Sequence, residues 1–244
     1  MDSLTGLVAV ITGASRGFGR QLSLQLAREG VRVVAAALPQ EEDALAALVG
    51  EISEAGGNAA WRTLDVRDPG QCSTLVEWAV KEMGGLQILV NCAGLGHWVS
   101  VENTTDAQWQ QMMEVNVSGT FYMSRAAIGP MREAGTGHIV NIASVLGRRG
   151  VPNFSGYCAS KAAVMAFSES LSKEVKGYGI QVTVIAPGTA DTGFRDQHVG
   201  RPLDSSLTDP ALMLRPVDVA SAIVWALKAS KHVASVQVVL EPLG

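Results

Sequence analysis

The chain has 244 residues, of which 47% are hydrophobic and 17% are charged, and its net charge is −4. This composition excludes an intrinsically disordered chain, and the missing basic stripe argues against nucleic acid as the main partner. Glycine is frequent, with 26 residues in a chain that is only 5% aromatic. This high glycine content needs an explanation in the sequence motifs.

The cysteines and the N-terminus point to the compartment. Cys72, Cys92 and Cys158 are odd in number and widely separated, so we expect reduced thiols and no disulfide framework. The first residues lack the segments of a signal peptide, and no apolar run approaches the roughly 18 residues of a membrane span. No spaced set of His or Cys ligands predicts a metal site. We therefore expect a cytoplasmic protein without metal or membrane contacts.

Short apolar or β-branched runs alternate with longer segments of helical periodicity along the chain. The predicted strands are 7–12, 31–36, 59–64, 87–91, 138–143, 181–185 and 236–240. The predicted helices are 18–29, 41–55, 69–83, 106–133, 154–176 and 216–229. This alternation predicts an α/β fold with a doubly wound, seven-stranded parallel sheet and helices on both faces.

The domain organisation follows from the absence of any linker or repeat. We expect one domain over 1–244, with a single long segment of weak periodicity at 188–215. A loop of that length in a compact domain is usually a lid or a binding loop. We interpret 188–215 as a substrate-binding loop.

Residues 12–19, Thr-Gly-Ala-Ser-Arg-Gly-Phe-Gly, directly follow the first predicted strand. Glycines there let the backbone approach a pyrophosphate, and the helix N-terminus supplies N–H groups and partial positive charge. The pattern alone is weakly specific, so a purely structural turn is one alternative. Gly13-x-Ser15-x-Gly17 also fits the nucleophile elbow of a serine hydrolase. Only twelve residues precede the turn, which leaves no upstream oxyanion loop for that alternative.

Further motifs lie at the ends of the later strands and in two helices. They are Asn91-Cys92-Ala93-Gly94, Asn116-Val117-Ser118-Gly119, Ser144, Tyr157-Cys158-Ala159-Ser160-Lys161 and Pro187-Gly188. With the glycine loop, in this order and spacing, the set closely resembles the short-chain dehydrogenase/reductase family over nearly the whole chain. The resemblance implies a Rossmann-type fold and hydride transfer between a nicotinamide dinucleotide and a carbonyl or secondary alcohol.

Tyr157 and Lys161 are four residues apart, so they share one face of a helix. A phenol with a pKa of about 10 is a poor acid near neutrality, and a neighbouring ammonium favours its ionised form. The resemblance implies that Tyr157 is the acid, that Ser144 holds the carbonyl oxygen, and that Lys161 also binds the nicotinamide ribose. It implies that Asn116 holds a water of a proton relay. The alternatives are that Tyr157 and Lys161 form a surface pair, that Ser144 caps a helix and that Asn116 is a satisfied core amide.

The resemblance also implies a set of cofactor contacts. They come from Gly13, Ser15, Arg16, Gly17, Phe18 and Gly19, from Asp65 and Val66 near the adenine, from Asn91, Ala93 and Gly94, from Tyr157 and Lys161, and from Pro187, Gly188 and Thr192 at the carboxamide.

Members that prefer NAD usually carry an acidic residue at the end of the second strand, to bind the ribose 2′-hydroxyl. Ala37 and Leu38 occupy that place, so we expect no carboxylate there to select NAD or to repel a 2′-phosphate. Arg16 matches the basic residue of members that prefer NADP, although the second arginine usual after the strand is missing. We predict NADP(H), with a solvated loop charge as the alternative role of Arg16.

The expected substrate pocket is largely apolar, with His97 as a candidate polar wall. Its residues are His97, Trp98, Val145, Leu146, Phe154 and Phe194, with Leu203, Leu207, Met213 and Leu214 from the loop, enough to cover a hydrophobic ketone. Arg148, Arg149, Arg195 and Arg201 are candidates for binding a carboxylate or phosphopantetheine. The C-terminus departs from the pattern usual in 3-oxoacyl-carrier-protein reductases and is more similar to that of members acting on 3-hydroxy acids or small ketones and alcohols. A 3-oxoacyl thioester is therefore the alternative substrate and not the first. A non-catalytic dinucleotide sensor is a further alternative.

The resemblance implies a homodimer or homotetramer, formed through the helices at 106–133 and 154–176.

Overall fold

The computed structural model describes residues 3–194, 210–229, 232–233 and 235–243. Its strands are β1 Val8–Thr12, β2 Arg32–Ala37, β3 Ala59–Thr63, β4 Ile88–Asn91, β5 Gly137–Ile142, β6 Ile180–Pro187 and β7 Ser235–Leu240. Its helices are α1 Gly17–Arg28, α2 Glu42–Glu54, α3 Pro69–Met83, α4 Asp106–Met113, α5 Gly119–Glu133, α6 Ser155–Val175 and α7 Pro216–Leu227. The alternation of strands and helices predicted from the sequence is confirmed.

The seven strands form one parallel sheet in the order β3-β2-β1-β4-β5-β6-β7. Strand order reverses between β1 and β4, and a sheet of this kind has a crevice outside the carboxyl ends of the strands at that point. The register places Thr12 beside Ala36 and Asn91 beside Asn141 at this end. The edge formed by these ends, called the carboxyl edge below, is therefore where a ligand site is expected.

Helices cover both faces of the sheet, which explains why its strands are continuous apolar runs. Along β1, Ile11 contributes to one core layer and Val10 to the other. The first layer is filled from α1, α2 and α7, by residues such as Leu22, Leu45 and Ile223. The second is filled from α3, α5 and α6, by residues such as Leu75, Met123 and Leu171. In the part of the chain that the structure describes, every helix is too short or too polar to cross a membrane.

The predicted helix over 106–133 is present, but it is not α-helical throughout. A π-helical turn, Glu114–Ser118, separates α4 from α5 and contains Asn116. Such turns insert one extra residue per turn and often occur at functional sites. Periodicity reports the apolar face of a helix, and a single π-turn changes that face too little for the sequence pattern to show it.

The two ends of the predicted loop at 188–215 lie side by side. Ala190 and Leu214 form an isolated parallel bridge, and the N–H of Leu214 donates to the carbonyl of Thr189 at 2.9 Å. Residues 195–209, the middle of the segment, lie outside the described residues.

A histidine is buried between two central strands. His138 of β5 hydrogen bonds through Nε2 to Oγ1 of Thr183 on β6, at 2.8 Å. Burial disfavours the charged imidazolium and lowers the pKa of His138 from 6.5 to about 4. The folded protein therefore holds this side chain neutral at pH values where the unfolded chain binds a proton.

This difference predicts acid destabilisation. Above pH 6.5, His138 is neutral in the folded and the unfolded protein, and the free energy of unfolding does not depend on its proton. As pH falls from 6.5 towards 4, the unfolded chain binds a proton at His138 and the folded protein does not, so the free energy of unfolding falls. We expect the free energy of unfolding to drop by about 2 kcal/mol more between pH 7.5 and 5 in the wild type than in His138→Gln, at about 1.4 kcal/mol per pKa unit. Denaturant unfolding at both pH values measures this. Equal drops in the two proteins would contradict the assignment.

Candidate active site

Residues 13–19, the glycine loop, leave the carboxyl end of β1 and lead into α1. Gly13 and Gly17 have φ values of +64° and +53°, which side chains disfavour. A Cβ on Gly13 would lie 2.9 Å from backbone atoms of Ala93, and a Cβ on Gly19 would clash with the carbonyl oxygen of Gly13. The loop therefore folds tightly on itself and against the end of β4, which explains three glycines of the motif.

Thr12 joins the glycine loop to the next strand end. Its Oγ1 accepts hydrogen bonds from the N–H groups of Cys92 and Ala93, each at 3.1 Å. On the other side, the side chain of Thr192 lies against Gly17, 3.2 Å from where a Cβ would stand. Residues of three predicted cofactor segments thus meet at the carboxyl edge. This role of Thr12 was not predicted, because a threonine that ends a buried strand looks like any other strand residue.

A carboxylate occupies the outer side of the glycine loop. Ser15 Oγ donates a hydrogen bond to Glu41 Oε2, and Arg16 Nη2 lies 3.3 Å from Glu41 Oε1. The expectation that no carboxylate stands near the end of β2 is therefore wrong. Ala37 and Leu38 carry no acid, but the short 3-10 turn Pro39–Glu41 brings an acidic side chain back to the loop. Spacing counted along an extended strand could not find it.

The donors of this loop suit an oxyanion. Ser15 and Arg16 already bind a carboxylate, which shows that both side chains can converge on one anionic group. The helix α1 begins at Gly17, and its first turn contains no acidic residue that would compete for its N–H groups. Phe18 packs against the core layer that α1, α2 and α7 fill. These residues therefore fit the phosphates of a dinucleotide.

At the far end of the site, Asp65 follows β3. Its carboxylate binds the guanidinium of Arg67, with Nη2 to Oδ2 at 2.6 Å, and this contact lowers the pKa of Asp65. Val66 is buried against the start of α5, where a Cβ on Gly119 would lie 2.7 Å from its Cγ2. The two residues predicted to bind adenine are thus close to the sheet, with the acid already held by a neighbouring cation.

Asn91 ends β4, but its side chain points into the protein. Nδ2 donates to Asn141 Oδ1 at 2.8 Å and to Ser124 Oγ at 3.1 Å, and Asn141 in turn donates to Ser168 Oγ at 2.8 Å. This buried network ties β4 and β5 to α5 and α6. The amide of Asn91 therefore supports the carboxyl edge from beneath, and the exposed part of the motif is Gly94.

Tyr157 and Lys161 lie on the first turns of α6, on the same face. Lys161 Nζ is 5.6 Å from the centre of the Tyr157 ring and donates to the carbonyl of Ile142 at the end of β5, at 2.8 Å. Ser144 lies two residues beyond that strand end, and its hydroxyl donates to the carbonyl of Pro187 at 3.4 Å, close enough to the phenol to favour a lower pKa of Tyr157. Ser144 also accepts from the N–H of Leu146 at 3.2 Å. Three of the four predicted catalytic side chains are thus brought together at one place.

Burial dominates the electrostatics of this group. It raises the pKa of Tyr157, and the Ser144 hydroxyl offsets only part of that effect. Burial also lowers the pKa of Lys161 to about 8, and it raises the pKa of the nearby Cys92 thiol to about 11. The expected lowering of the phenol pKa is therefore not a property of the protein alone, because the desolvation of Tyr157 outweighs its polar contacts.

Asn116 is a hub of hydrogen bonds in the π-helical turn and is only 1% exposed. Its Oδ1 accepts from the N–H of Leu95 at 2.9 Å, and its Nδ2 donates to the carbonyl of Leu95 at 2.8 Å and to Ser160 Oγ at 2.9 Å. Ser160 donates onward to the carbonyl of Tyr157 at 2.8 Å. The side chain therefore joins the loop after β4 to α6, as a satisfied core amide would, and positions the catalytic turn.

Tyr157 belongs to a group of four aromatic side chains, here called the aromatic cluster: Trp98, Phe154, Tyr157 and Phe194. Phe154 stacks on Tyr157 with ring centres 4.4 Å apart and planes at 14°. Trp98 lies 4.8 Å from Phe154, and Phe194 lies 5.8 Å from Tyr157. A Cβ on Gly96 would come within 2.8 Å of the Phe154 ring, so Gly96 makes room for the stack.

The remaining predicted pocket residues do not all lie at the aromatic cluster. Leu146 packs on the aromatic cluster. Val145 is buried in the turn beneath it, and His97 turns towards α4, where Nε2 hydrogen bonds Gln111 Oε1 at 2.9 Å. The backbone of Asn153, at a φ of +60°, accepts from the N–H of Val99 at 2.6 Å, which holds the two pocket segments together.

The end of β6 is tied to the last strand. The N–H of Gly188 donates to the carbonyl of Leu240 at 2.7 Å, and Pro187 is buried beside it. Arg149, a candidate anion-binding residue, pairs with Glu241 at 3.1 Å, whereas Arg148 is exposed. The other predicted loop residues, Leu203, Leu207, Arg195 and Arg201, lie outside the described residues.

Comparison with known proteins places this geometry in a family. The model of the short chain dehydrogenases matches residues 7–200. An uncharacterized oxidoreductase of Staphylococcus aureus is 32% identical over 243 residues, the full length of both chains. The 3-alpha-(or 20-beta)-hydroxysteroid dehydrogenase of Mycobacterium bovis is 35% identical over 91% of this chain and 82% of its own. Glycine betaine reductase ATRR of Emericella nidulans is 35% identical over 98% of this chain, which spans only 19% of that relative's length.

Solved structures agree with these relatives. An alcohol dehydrogenase from the archaeon Thermococcus sibiricus, complexed with 5-hydroxy-NADP, superposes with a TM-score of 0.86 at 27% identity, covering 97% of each chain. A serine dehydrogenase complexed with NADP⁺ also gives 0.86, at 29% identity, covering 95% of this chain and 94% of the other. With its seven-stranded sheet, glycine loop and Ser-Tyr-Lys group, the chain belongs to the short-chain dehydrogenase family of oxidoreductases.

Proposed function

We propose that the protein is an NADP(H)-dependent carbonyl reductase or alcohol dehydrogenase, which moves a hydride between the cofactor and a ketone or secondary alcohol. The observation that most supports this proposal is that Ser144, Tyr157 and Lys161 lie together at the same edge of the sheet as the glycine loop. In this account the whole chain acts as one dinucleotide-binding and catalytic domain.

The protein's own residues supply the proton and hold the substrate oxygen. When bound, a nicotinamide dinucleotide supplies the hydride and, in its oxidised form, a positive charge. The hydroxyl of Ser144 donates a hydrogen bond to the carbonyl oxygen, and the phenol of Tyr157 transfers its proton to that oxygen as the carbon is reduced. The product is the alcohol, and the reverse reaction returns the proton to Tyr157.

Lys161 contributes charge and orientation. Its Nζ donates to the carbonyl of Ile142 at 2.8 Å and lies 5.6 Å from the centre of the Tyr157 ring. Bringing a phenol from a pKa of about 10 to about 7 takes roughly 4 kcal/mol of preferential stabilisation of the phenolate. Because burial acts in the opposite direction, the proposal requires Lys161 to be charged when substrate binds. Asn116 would act on the proton relay by fixing this turn.

Three observations support NADP(H). Arg16 lies at the glycine loop, and its guanidinium, 3.3 Å from the carboxylate of Glu41, is placed to bind an anionic group. Ala37 and Leu38, at the end of β2 itself, are not acidic, and the carboxylate that does reach the glycine loop, Glu41, comes from the following turn. Two solved relatives of similar fold were crystallised with NADP⁺ or an NADP derivative.

The substrate side favours an apolar carbonyl compound. Trp98, Phe154, Phe194 and Leu146 surround Tyr157 with hydrocarbon, and such walls bind ligands by burying apolar surface. Arg148, exposed beyond the turn after β5, keeps a 3-oxoacyl thioester as the alternative. A serine hydrolase is disfavoured because the Ser15 hydroxyl donates to Glu41 and not to a histidine.

A homodimer or homotetramer is the proposed assembly. Trp109 on α4 and Phe121 on α5 are 45% and 40% exposed and offer apolar surface that a second subunit could cover. Both lie on the helices that the family resemblance assigns to subunit contacts.

Tyr157→Phe tests the proton donor. We expect kcat for ketone reduction with NADPH to fall at least about 100-fold, the usual contribution of a general acid. The dissociation constant for NADPH should change little, because the ring and its stacking on Phe154 remain. NADPH absorbance over a panel of ketones, 3-oxo esters and diketones measures the rate, with Tyr122→Phe on α5 as the matched control. Equal rates in Tyr157→Phe and the wild type would refute the role.

The cofactor assignment has its own test. We expect kcat/KM to be at least about 10-fold higher with NADPH than with NADH, about 1.4 kcal/mol in transition-state stabilisation. Steady-state kinetics on one ketone with both cofactors decides it. A clear preference for NADH would overturn the assignment.

A further inference from the structure

Among the residues that the structure describes, Glu41 is an acidic side chain that contacts two predicted cofactor-binding residues at once. It accepts a hydrogen bond from Ser15 Oγ and pairs with Arg16 at 3.3 Å. Its side chain is 23% exposed, while that of Arg16 is 56% exposed. The carboxylate is thus tucked against the loop, with the guanidinium on its solvent side.

We propose that Glu41 is a specificity-determining residue, an internal anion that competes with the 2′-phosphate of NADP(H) for Ser15 and Arg16. The inference rests on the proposed function in one respect only, namely that the glycine loop binds a nicotinamide dinucleotide. In this proposal Glu41 opposes the preference for NADP(H) that Arg16 favours.

The charges of Glu41 and of the 2′-substituent determine which cofactor Glu41 disfavours. A phosphate monoester carries between one and a half and two negative charges near neutral pH (about −1.5 to −2). If it binds Ser15 and Arg16, it has to displace the carboxylate of Glu41 or to lie beside it, and two anions a few ångströms apart repel each other. A ribose 2′-hydroxyl is uncharged and can donate a hydrogen bond to a carboxylate. Glu41 therefore weakens binding of NADPH and leaves binding of NADH unchanged or stronger.

The position of Glu41 makes displacement feasible. It ends a three-residue turn that begins at Pro39 and leads into α2, on the surface of the protein. A change of its side-chain rotamer moves the carboxylate without moving β2. The loop can thus exchange one anion for another, and the exchange lowers the affinity for the incoming phosphate.

Direct binding tests the proposal without any turnover. Isothermal titration of the full-length wild type, Glu41→Gln and Glu42→Gln would use NADPH, NADH, adenosine 2′,5′-bisphosphate and 5′-AMP. Glu42 is the matched control, since it is the next residue, has the same charge and is exposed. Melting temperatures of the three proteins confirm that each is folded.

We expect Glu41→Gln to bind NADPH and adenosine 2′,5′-bisphosphate about 10-fold more tightly than the wild type, with NADH and 5′-AMP bound equally or more weakly. Glu42→Gln should match the wild type. The gain for the phosphorylated ligands should shrink at high salt, because ions screen the repulsion.

An unchanged ratio of NADPH to NADH affinity in Glu41→Gln would overturn the proposal, as would an equal loss for all four ligands, which would mean that Glu41 only shapes the loop. A wild type that prefers NADH, with a ratio that still moves towards NADPH in Glu41→Gln, supports this proposal and rejects the proposed cofactor preference. A wild type that binds none of the dinucleotides rejects both.

Discussion

All seven strands run in one direction, so every strand ends at the same edge of the sheet and every loop that leaves this edge starts beside its neighbours. That constraint brings the glycine loop, the turn after β4, Ser144 and the end of β6 within contact of each other. Short polar contacts then fix their relative positions: Thr12 holds the N–H groups of Cys92 and Ala93, and Lys161 holds the carbonyl of Ile142. The chemistry of the site follows from which residues stand at these ends.

The same burial that builds the site also opposes its chemistry. Tyr157 is 9% exposed and Lys161 is 5% exposed, so each is held towards its neutral form, the phenol with a raised pKa and the amine with a pKa lowered to about 8. A phenol of this kind keeps its proton until charge arrives nearby. In the proposed function this ties proton transfer to cofactor binding, and it limits wasteful ionisation of the protein on its own.

The sequence was sufficient for the parts of the fold and site that depend on local pattern. The alternation of apolar runs predicted all seven strands, and the four-residue spacing of Tyr157 and Lys161 predicted their shared helix face. Other features depend on contacts between distant segments. Glu41 reaches Arg16 only because a turn after β2 folds back, and Asn116 serves as a hub only because a π-helical turn faces Leu95 and Ser160. No pattern within a window of the sequence reports such contacts.

The central claim is that Tyr157 is the proton donor and that a bound, oxidised cofactor lowers its raised pKa. The most direct measurement is an ultraviolet difference titration of tyrosinate in the wild type and Tyr157→Phe, each with and without NADP⁺. The account predicts that in the wild type without NADP⁺ Tyr157 stays neutral beyond the usual pKa of about 10. With NADP⁺, one ionisation should move well below that value, and it should be missing from Tyr157→Phe. An ionisation that does not respond to NADP⁺, or that persists in Tyr157→Phe, would contradict the account.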